Sequence, residues 1–182
     1  MNKALAEQSD ETLAGEAARE GSDGPAFVEL TKRYRERVWR ICFRLLGHAD
    51  DAQDAAQEVF VRLFTQRGRF HGHSKYSTWV HGITVRTCLM FRRGRGRRRR
   101  HETAAAKSEL PPGEPTQPGL SLDVREMLEC LDEEDRALVI LKYCESYSYE
   151  ELAEIFGLSA AACKMRVSRA KEKIQQEFSF LT

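Results

Sequence analysis

Between positions 164 and 173 the chain sets Lys164, Arg166, Arg169, Lys171 and Lys173 against a single acid, Glu172. Guanidinium and ammonium donors in such a row suit a polyanion, because they pair with phosphate oxygens or with the acceptor edge of guanine. Just upstream, Gly157-Leu158-Ser159 followed by Ala160-Ala161-Ala162 supplies a glycine stop, a hydroxyl cap and small residues for close packing. A second block of like charge runs between Glu58 and Glu102, where no acid occurs and twelve Lys or Arg do. The third group has the opposite sign. Asp51, Asp54 and Glu58 fall at spacings of three and four, with Gln57 beside them. Stacked carboxylates weaken a helix. Acids of a first turn complement the helix dipole, but Glu58 lies too far along for that, and a basic protein partner accounts for it.

No residues form a catalytic constellation: there is no glycine-rich phosphate loop and no nucleophile with a base and an acid, so an enzyme is not expected. The five cysteines, Cys42, Cys88, Cys130, Cys144 and Cys163, are odd in number and widely spaced. They read as reduced thiols of helical segments, not as a disulfide framework. His71 and His73 are close neighbours but no paired-cysteine spacing supports zinc, and neither metal nor cofactor is expected. The first residues, MNKALAEQSDETLAGE, are polar and acidic where a secretory signal needs an apolar stretch. No run approaches the roughly 18 apolar residues of a membrane span. A cytoplasmic protein without membrane contact of its own is expected.

The elements that must carry these groups are helical. A net charge of +1 conceals 20 Lys or Arg against 12 Asp or Glu in residues 1–100, and 9 against 16 in residues 101–182. A short helix is predicted around Glu11 to Arg19. Pro25 opens a long one, with Phe27, Leu30, Tyr34, Val38, Ile41 and Leu45 on one face and Gly47 as its stop. Asp50 is placed as the cap of the next, whose inner stripe is Ala52, Ala55, Ala56, Val59, Phe60 and Leu63. Arg67 to Ser77, RGRFHGHSKYS, reads as a loop. Ser77 then caps a helix with Trp79, Val80, Ile83 and Leu89 inside, ending in the arginine run from Arg92 to Arg100.

Residues 102–120 hold four of the five prolines and no aromatic, which is the composition of a flexible linker. The chain is therefore expected to be all-α, with an N-terminal domain over 1–101 and a C-terminal one over 121–182. In the latter Ser121 and Asp132 cap two helices, with Leu138, Val139, Leu141 and Tyr143 available for the core. Ser148 and Glu151 form a capping box. Ala153, Ala160 and Ala162 let two short helices cross closely around Gly157, which makes a helix-turn-helix with a basic second helix.

Taken together these segments resemble the bacterial RNA polymerase sigma factors of the extracytoplasmic-function type. "DAQDAAQEVFVRLF" (51–64) is similar to that family's polymerase-binding helix, and "YSTWVHGITVRTCLMFRR" (76–93) to the segment that reads and opens the minus-ten element. Residues 131–174 resemble the helix-turn-helix that reads the minus-thirty-five element, and "AFVELTKRYRERVWRICFRLLG" (26–47) extends the likeness. Two departures stand out. Met165 occupies a place where the family carries a hydrogen-bonding serine, and Asp132 replaces a proline before the third helix of the C-terminal domain.

The resemblance implies a protein that binds core RNA polymerase and directs promoter-specific initiation. Asp51, Asp54, Gln57 and Glu58 would dock on the coiled coil of the polymerase's largest subunit, with Arg62 either extending that surface or left in solvent. In the loop, Phe70 and Tyr76 either stack on unpaired promoter bases or anchor the loop to the core, with Arg67, Arg69 and Lys75 as a cationic rim. Arg86, Arg92 and Arg93 would grip phosphates. Lys164, Arg166 and Arg169 are placed as base readers, Met165 and Ser168 on a thymine methyl or a phosphate, and Lys171 and Lys173 on the backbone, with Ser159 at the helix start. An anti-sigma partner and a monomeric free chain are implied by family analogy. Two rivals are a stand-alone helix-turn-helix regulator, which would leave the acidic helix without a task, and an all-helical metal phosphohydrolase, whose acids here lack histidine partners.

Overall fold

The structure, a computed structural model, describes residues 3–21, 24–102 and 122–178, with the side chains of 95–102 and a few at either edge set aside. Among the described residues every regular element is helical. The expected linker 102–120 lies almost wholly outside them, as do the Ser121 cap and the side chains of the arginine run beyond Gly94.

The N-terminal domain contains α1 (Lys3–Ala6), α2 (Asp10–Ala17), α3 (Pro25–Leu46), α4 (Ala49–Thr65), a 3-10 turn (Arg67–Arg69) and α5 (Tyr76–Glu102). Pro25 stands at the first helical position of α3, and Gly47 ends it at φ 76°, left-handed backbone that a glycine adopts without strain. Leu30, Tyr34, Val38, Ile41 and Leu45 are buried along α3, as the spacing of three and four predicts, while Phe27 is half-buried. Their counterparts on α4 are Ala52, Ala55, Ala56, Val59 and Leu63. The alanines bring these two helices close, and burial of the stripes against α5 supplies the apolar driving force, about 25 cal/mol for each Å² removed from water.

Two starts differ from expectation. His48, not Asp50, occupies the N-cap of α4, and Asp50 and Asp51 sit in its first turn, where they face the positive end of the helix dipole. Helix α5 begins at Tyr76, which leaves Ser77 inside it. The Tyr76 amide donates to Oε1 of Glu11 at 3.1 Å, so the cap comes from α2, 65 residues away in sequence. The helix expected around Glu11 to Arg19 is α2, opened by Ser9, whose hydroxyl accepts the Thr12 amide at 3.2 Å.

The C-terminal domain contains α6 (Leu122–Glu129), α7 (Glu133–Cys144), α8 (Tyr149–Phe156) and α9 (Ala160–Phe178). Asp132 caps α7 by accepting the Asp135 amide at 2.8 Å. The capping box of α8 closes both ways, Glu151 amide to Ser148 Oγ at 3.1 Å and Ser148 amide to Glu151 Oε2 at 2.9 Å. Leu138, Ile140, Leu141, Leu152 and Ile155 form the centre of the domain. Tyr143, expected in that core, is 54% exposed, because α7 turns this position outward beneath the ammonium of Lys171, 5.8 Å from the ring centre. This domain rests on α3 and α5 of the first one.

Candidate nucleic-acid and partner interface

Helix α9 is positioned by three local devices. Gly157 ends α8 at φ 66°, and the Leu158 amide returns to the Ala153 carbonyl at 3.0 Å, which turns the chain tightly. Ser159 Oγ accepts the Ala162 amide at 3.1 Å. Cys163, Val167 and Ala170 then point into the core. A stripe at intervals of four and three dictates what faces outward: Lys164, Met165, Ser168, Arg169, Lys171 and Lys173 are exposed. No described acid pairs with Lys164, Arg169 or Lys173, and Met165 stands 55% exposed among them. Ser168 Oγ is held by Glu172 at 3.3 Å.

Arg166 departs from this row. Its guanidinium turns back onto the start of α7, with Nε 2.6 Å from Asp135 Oδ1 and Nη1 3.2 Å from Glu134 Oε2. Three acids next to it satisfy the donors that a base would need, so Arg166 sets the angle of α9 against α7 and is not a free reader.

On α4 the same logic applies with the opposite charge. Asp54 and Gln57 are exposed, Asp51 and Glu58 half-buried. Glu58 pairs with Arg62 at 2.7 Å, and Arg62 in turn reaches Met90 Sδ at 3.4 Å. Val61 (57% exposed) continues the outward face three and four positions on, with Met90 (51%) on neighbouring α5. Neither was picked out by sequence reasoning. The signal available was Val61 following 54, 57 and 58 at helical spacing, outside the buried stripe.

The loop divides between anchors and free groups. Arg67 gives its donors to three carbonyls, Ala17 at 3.0 Å, Phe64 at 2.7 Å and Glu20 at 3.2 Å, and its guanidinium lies 4.1 Å from the centre of the Phe64 ring. Those bonds tie the 3-10 turn to the end of α2, and the residue is a staple instead of part of a phosphate rim. Tyr76 is only 3% exposed and packs edge-on against Tyr34, so it belongs to the core. Half-buried Phe70 leans edge-on against Tyr76, 5.2 Å between ring centres, and beside Trp79. Arg69 remains exposed, and Lys75, also exposed, lies 3.5 Å from Glu151 of the C-terminal domain.

The cations of α5 meet the C-terminal domain. Arg86 Nη1 lies 3.5 Å from the Ile155 carbonyl. Arg92 donates to the Leu45 carbonyl at 2.9 Å and lies near Glu133, while Arg93 is 3.3 Å from Glu134.

Comparison with known proteins bears on these surfaces. Residues 30–98 match the Sigma-70 region 2 family and residues 121–174 the Sigma-70, region 4 family. The chain is 31% identical to the ECF RNA polymerase sigma factor SigE of Mycolicibacterium smegmatis over 93% of this chain and 69% of that one. It is 25% identical to SigW of Bacillus subtilis, over 85% and 90%. In fold it is similar to the sigma factor RpoE of Bartonella quintana, solved with the anti-sigma factor NepR (TM-score 0.66, 23% identity, 82% of this chain and 94% of that one). It is also similar to CnrH, solved with the cytosolic domain of CnrY (TM-score 0.70, 23% identity, 96% and 100%). With both sigma regions in order along an all-helical chain, and a relative above 30% identity aligned along most of its length, this protein belongs to the extracytoplasmic-function RNA polymerase sigma factors.

Proposed function

We propose that this chain docks on core RNA polymerase through the outward face of α4, reads the minus-thirty-five element with α9, and reads and opens the minus-ten element with the loop after α4 and the adjoining face of α5. The observation that carries the reading is the start of α9, where Lys164, Met165 and Arg169 stand exposed on the side away from the buried stripe, unpaired with any described acid. Base readers of this kind need free donors at the helix start. Residues 1–101 serve as the polymerase and minus-ten domain, 121–182 as the minus-thirty-five domain, and 102–120 as the tether. Asp51, Asp54, Gln57 and Glu58 face the polymerase together with Val61, while Arg69, Phe70, Lys75, Arg86, Arg92 and Arg93 are the minus-ten set.

No helix among the described residues is long and apolar enough to cross a membrane. The protein acts in the compartment that holds the polymerase, without catalytic chemistry of its own. RpoE and CnrH are each solved with a second protein, an anti-sigma factor in the case of RpoE, and an anti-sigma partner is extended to this chain as part of the proposal.

The test adds purified protein to sigma-free core polymerase with a library of random promoters. Transcripts sharing two upstream elements at fixed spacing are expected. Tight binding to duplex DNA without polymerase, and no transcription with it, would favour the stand-alone regulator instead.

A further inference from the structure

Both ends of the loop after α4 are held by one short segment, α2 and the residues that follow it, which lies ahead of the region 2 match beginning at residue 30. At the near end Arg67 spreads its guanidinium over the carbonyls of Ala17 and Glu20, at 3.0 and 3.2 Å. At the far end the exposed Glu11 accepts the Tyr76 amide at 3.1 Å and so caps α5. Between these two clamps the loop is exposed apart from half-buried Phe70 and Ser74. The segment is itself fixed in place. Leu13, Ala14 and Ala17 are buried. Asp10 accepts the Tyr34 hydroxyl and, at 2.6 Å, Nη1 of Arg33, both from α3. Glu20 closes the other side by accepting the Ala26 amide at 3.1 Å in the first turn of α3.

We propose that α2 is a clamp that sets the geometry of the minus-ten reading loop, with Glu11 and Arg67 as positioning residues that touch no DNA themselves. The inference rests on the sigma-factor reading of that loop. A loop that captures an unpaired base must hold its ring and its cations at fixed places, because freedom at either end lowers the fraction of molecules competent to bind. The two clamps remove that freedom before DNA arrives. Phe70 leans on Tyr76 and Trp79, in the first turn of α5, so the cap that fixes this turn also fixes the ring. Direct contact with phosphate does not account for either residue. Glu11 is an anion, and removing it from the neighbourhood of a phosphate would by itself strengthen binding. Arg67 has already spent its donors on carbonyls, that of Phe64 at 2.7 Å included.

Transcription by the full chain with core RNA polymerase, over a library varied at both promoter elements, tests the clamp, with far-UV circular dichroism as the check on the helices. Glu11→Leu is expected to lower the preference for favoured minus-ten bases about fivefold, the weight of one helix cap, and to leave minus-thirty-five preferences as they are. Glu11→Gln, whose side-chain oxygen still accepts the Tyr76 amide, should recover most of that loss. Arg67→Lys keeps the charge but cannot fork across several carbonyls, and should show the same selective loss. It also takes the place of Glu11→Leu should that variant lose its helices. Unchanged minus-ten preference in either folded variant, no recovery in Glu11→Gln, or equal loss at both elements would overturn the proposal. So would sharper minus-ten reading after Glu11→Leu, the result that charge alone would give. Silence of the wild type would strike the sigma-factor reading, whereas variants that match an active wild type strike the clamp alone.

Discussion

Arg166 on α9 bonds through Nε to Oδ1 of Asp135 in the first turn of α7, at 2.6 Å. Partial burial pushes the guanidinium pKa down, but hydrogen bonds to Asp135 and Glu134 more than offset this and hold it above its ordinary value. Two helices distant in sequence are thereby fixed in angle by one side chain. A neutral replacement leaves Asp132 and Asp135 without this counter-charge, while Glu134 keeps Arg93 at 3.3 Å. The loss costs about 1–2 kcal/mol for a partly exposed network.

Arg166→Ala should therefore lower the thermal midpoint of the C-terminal domain by several degrees and weaken all promoters alike. Lys164→Ala or Arg169→Ala should instead relax preference at one base position, at about 1–3 kcal/mol, with stability unchanged. Promoter-library transcription paired with thermal unfolding separates the two patterns. Position-specific relaxation by Arg166→Ala, with an unchanged midpoint, would show that it leaves the acid cluster to read a base.

Reversal of the α4 face should act on polymerase alone. Asp54 is exposed and Glu58 pairs with Arg62 at the surface, so Asp54→Lys with Glu58→Lys should change stability by no more than about 0.5 kcal/mol. Transcription should fall below detection and co-purification with core polymerase should be lost. A variant that still co-purifies would remove α4 from the docking surface.

Acid should loosen the interdomain contact. Burial, reinforced by the charge of Arg37, holds the His81 pKa down to about 3. Tyr34 and Tyr147, the other titratable groups around the ring, have hydroxyl pKa values raised by burial and stay neutral throughout this range. An unfolded chain protonates the imidazole near pH 6.5, so it binds more protons than the folded one below that point. Stability from neutral His81 is complete above about pH 6.5 and falls toward pH 3, by at most about 1.4 kcal/mol per pH unit. Thermal midpoints of the wild type and His81→Asn, compared from neutral to mildly acid buffer, should diverge in slope. Parallel slopes would show that His81 is not linked to this contact.

The thiols should separate into two classes. Cys42, Cys88 and Cys163 are buried, while Cys130 and Cys144 are half-exposed. Contact with the Cys42 thiol, then burial, pushes the Cys88 thiol pKa up, and burial does the same for Cys163. Burial raises the Cys144 thiol pKa as well, so with the thiolate as the reactive form access sets the order: brief alkylation of the folded protein should modify Cys130 first, Cys144 next, and the other three only on unfolding. Peptide mass spectrometry reads this directly. Early labelling of Cys42 or Cys88 would mean that α3 and α5 part more readily than their packing implies.

The helices were legible because their signals are local. Pro25, Gly47, Ser148 with Glu151, and Gly157 act within one turn, and the stripes of α3 and α4 repeat at three and four residues. The basic α9 face and the acidic α4 face could be read because each depends only on which side of a helix is apolar. Ser77 misled because the group that caps α5 is Glu11, far away in sequence.

Sequence alone determined the all-helical class, the order of the two sigma regions and the sign of charge on each face, since periodicity and net charge are properties of short segments. Only the tertiary structure decided which charged groups remain free. Arg67, Arg166 and Glu145 look like surface charges along the chain, yet each is held by groups from another element. The physical reason is that a charged side chain keeps its role only if no better partner lies within reach, and that partner is brought near by folding.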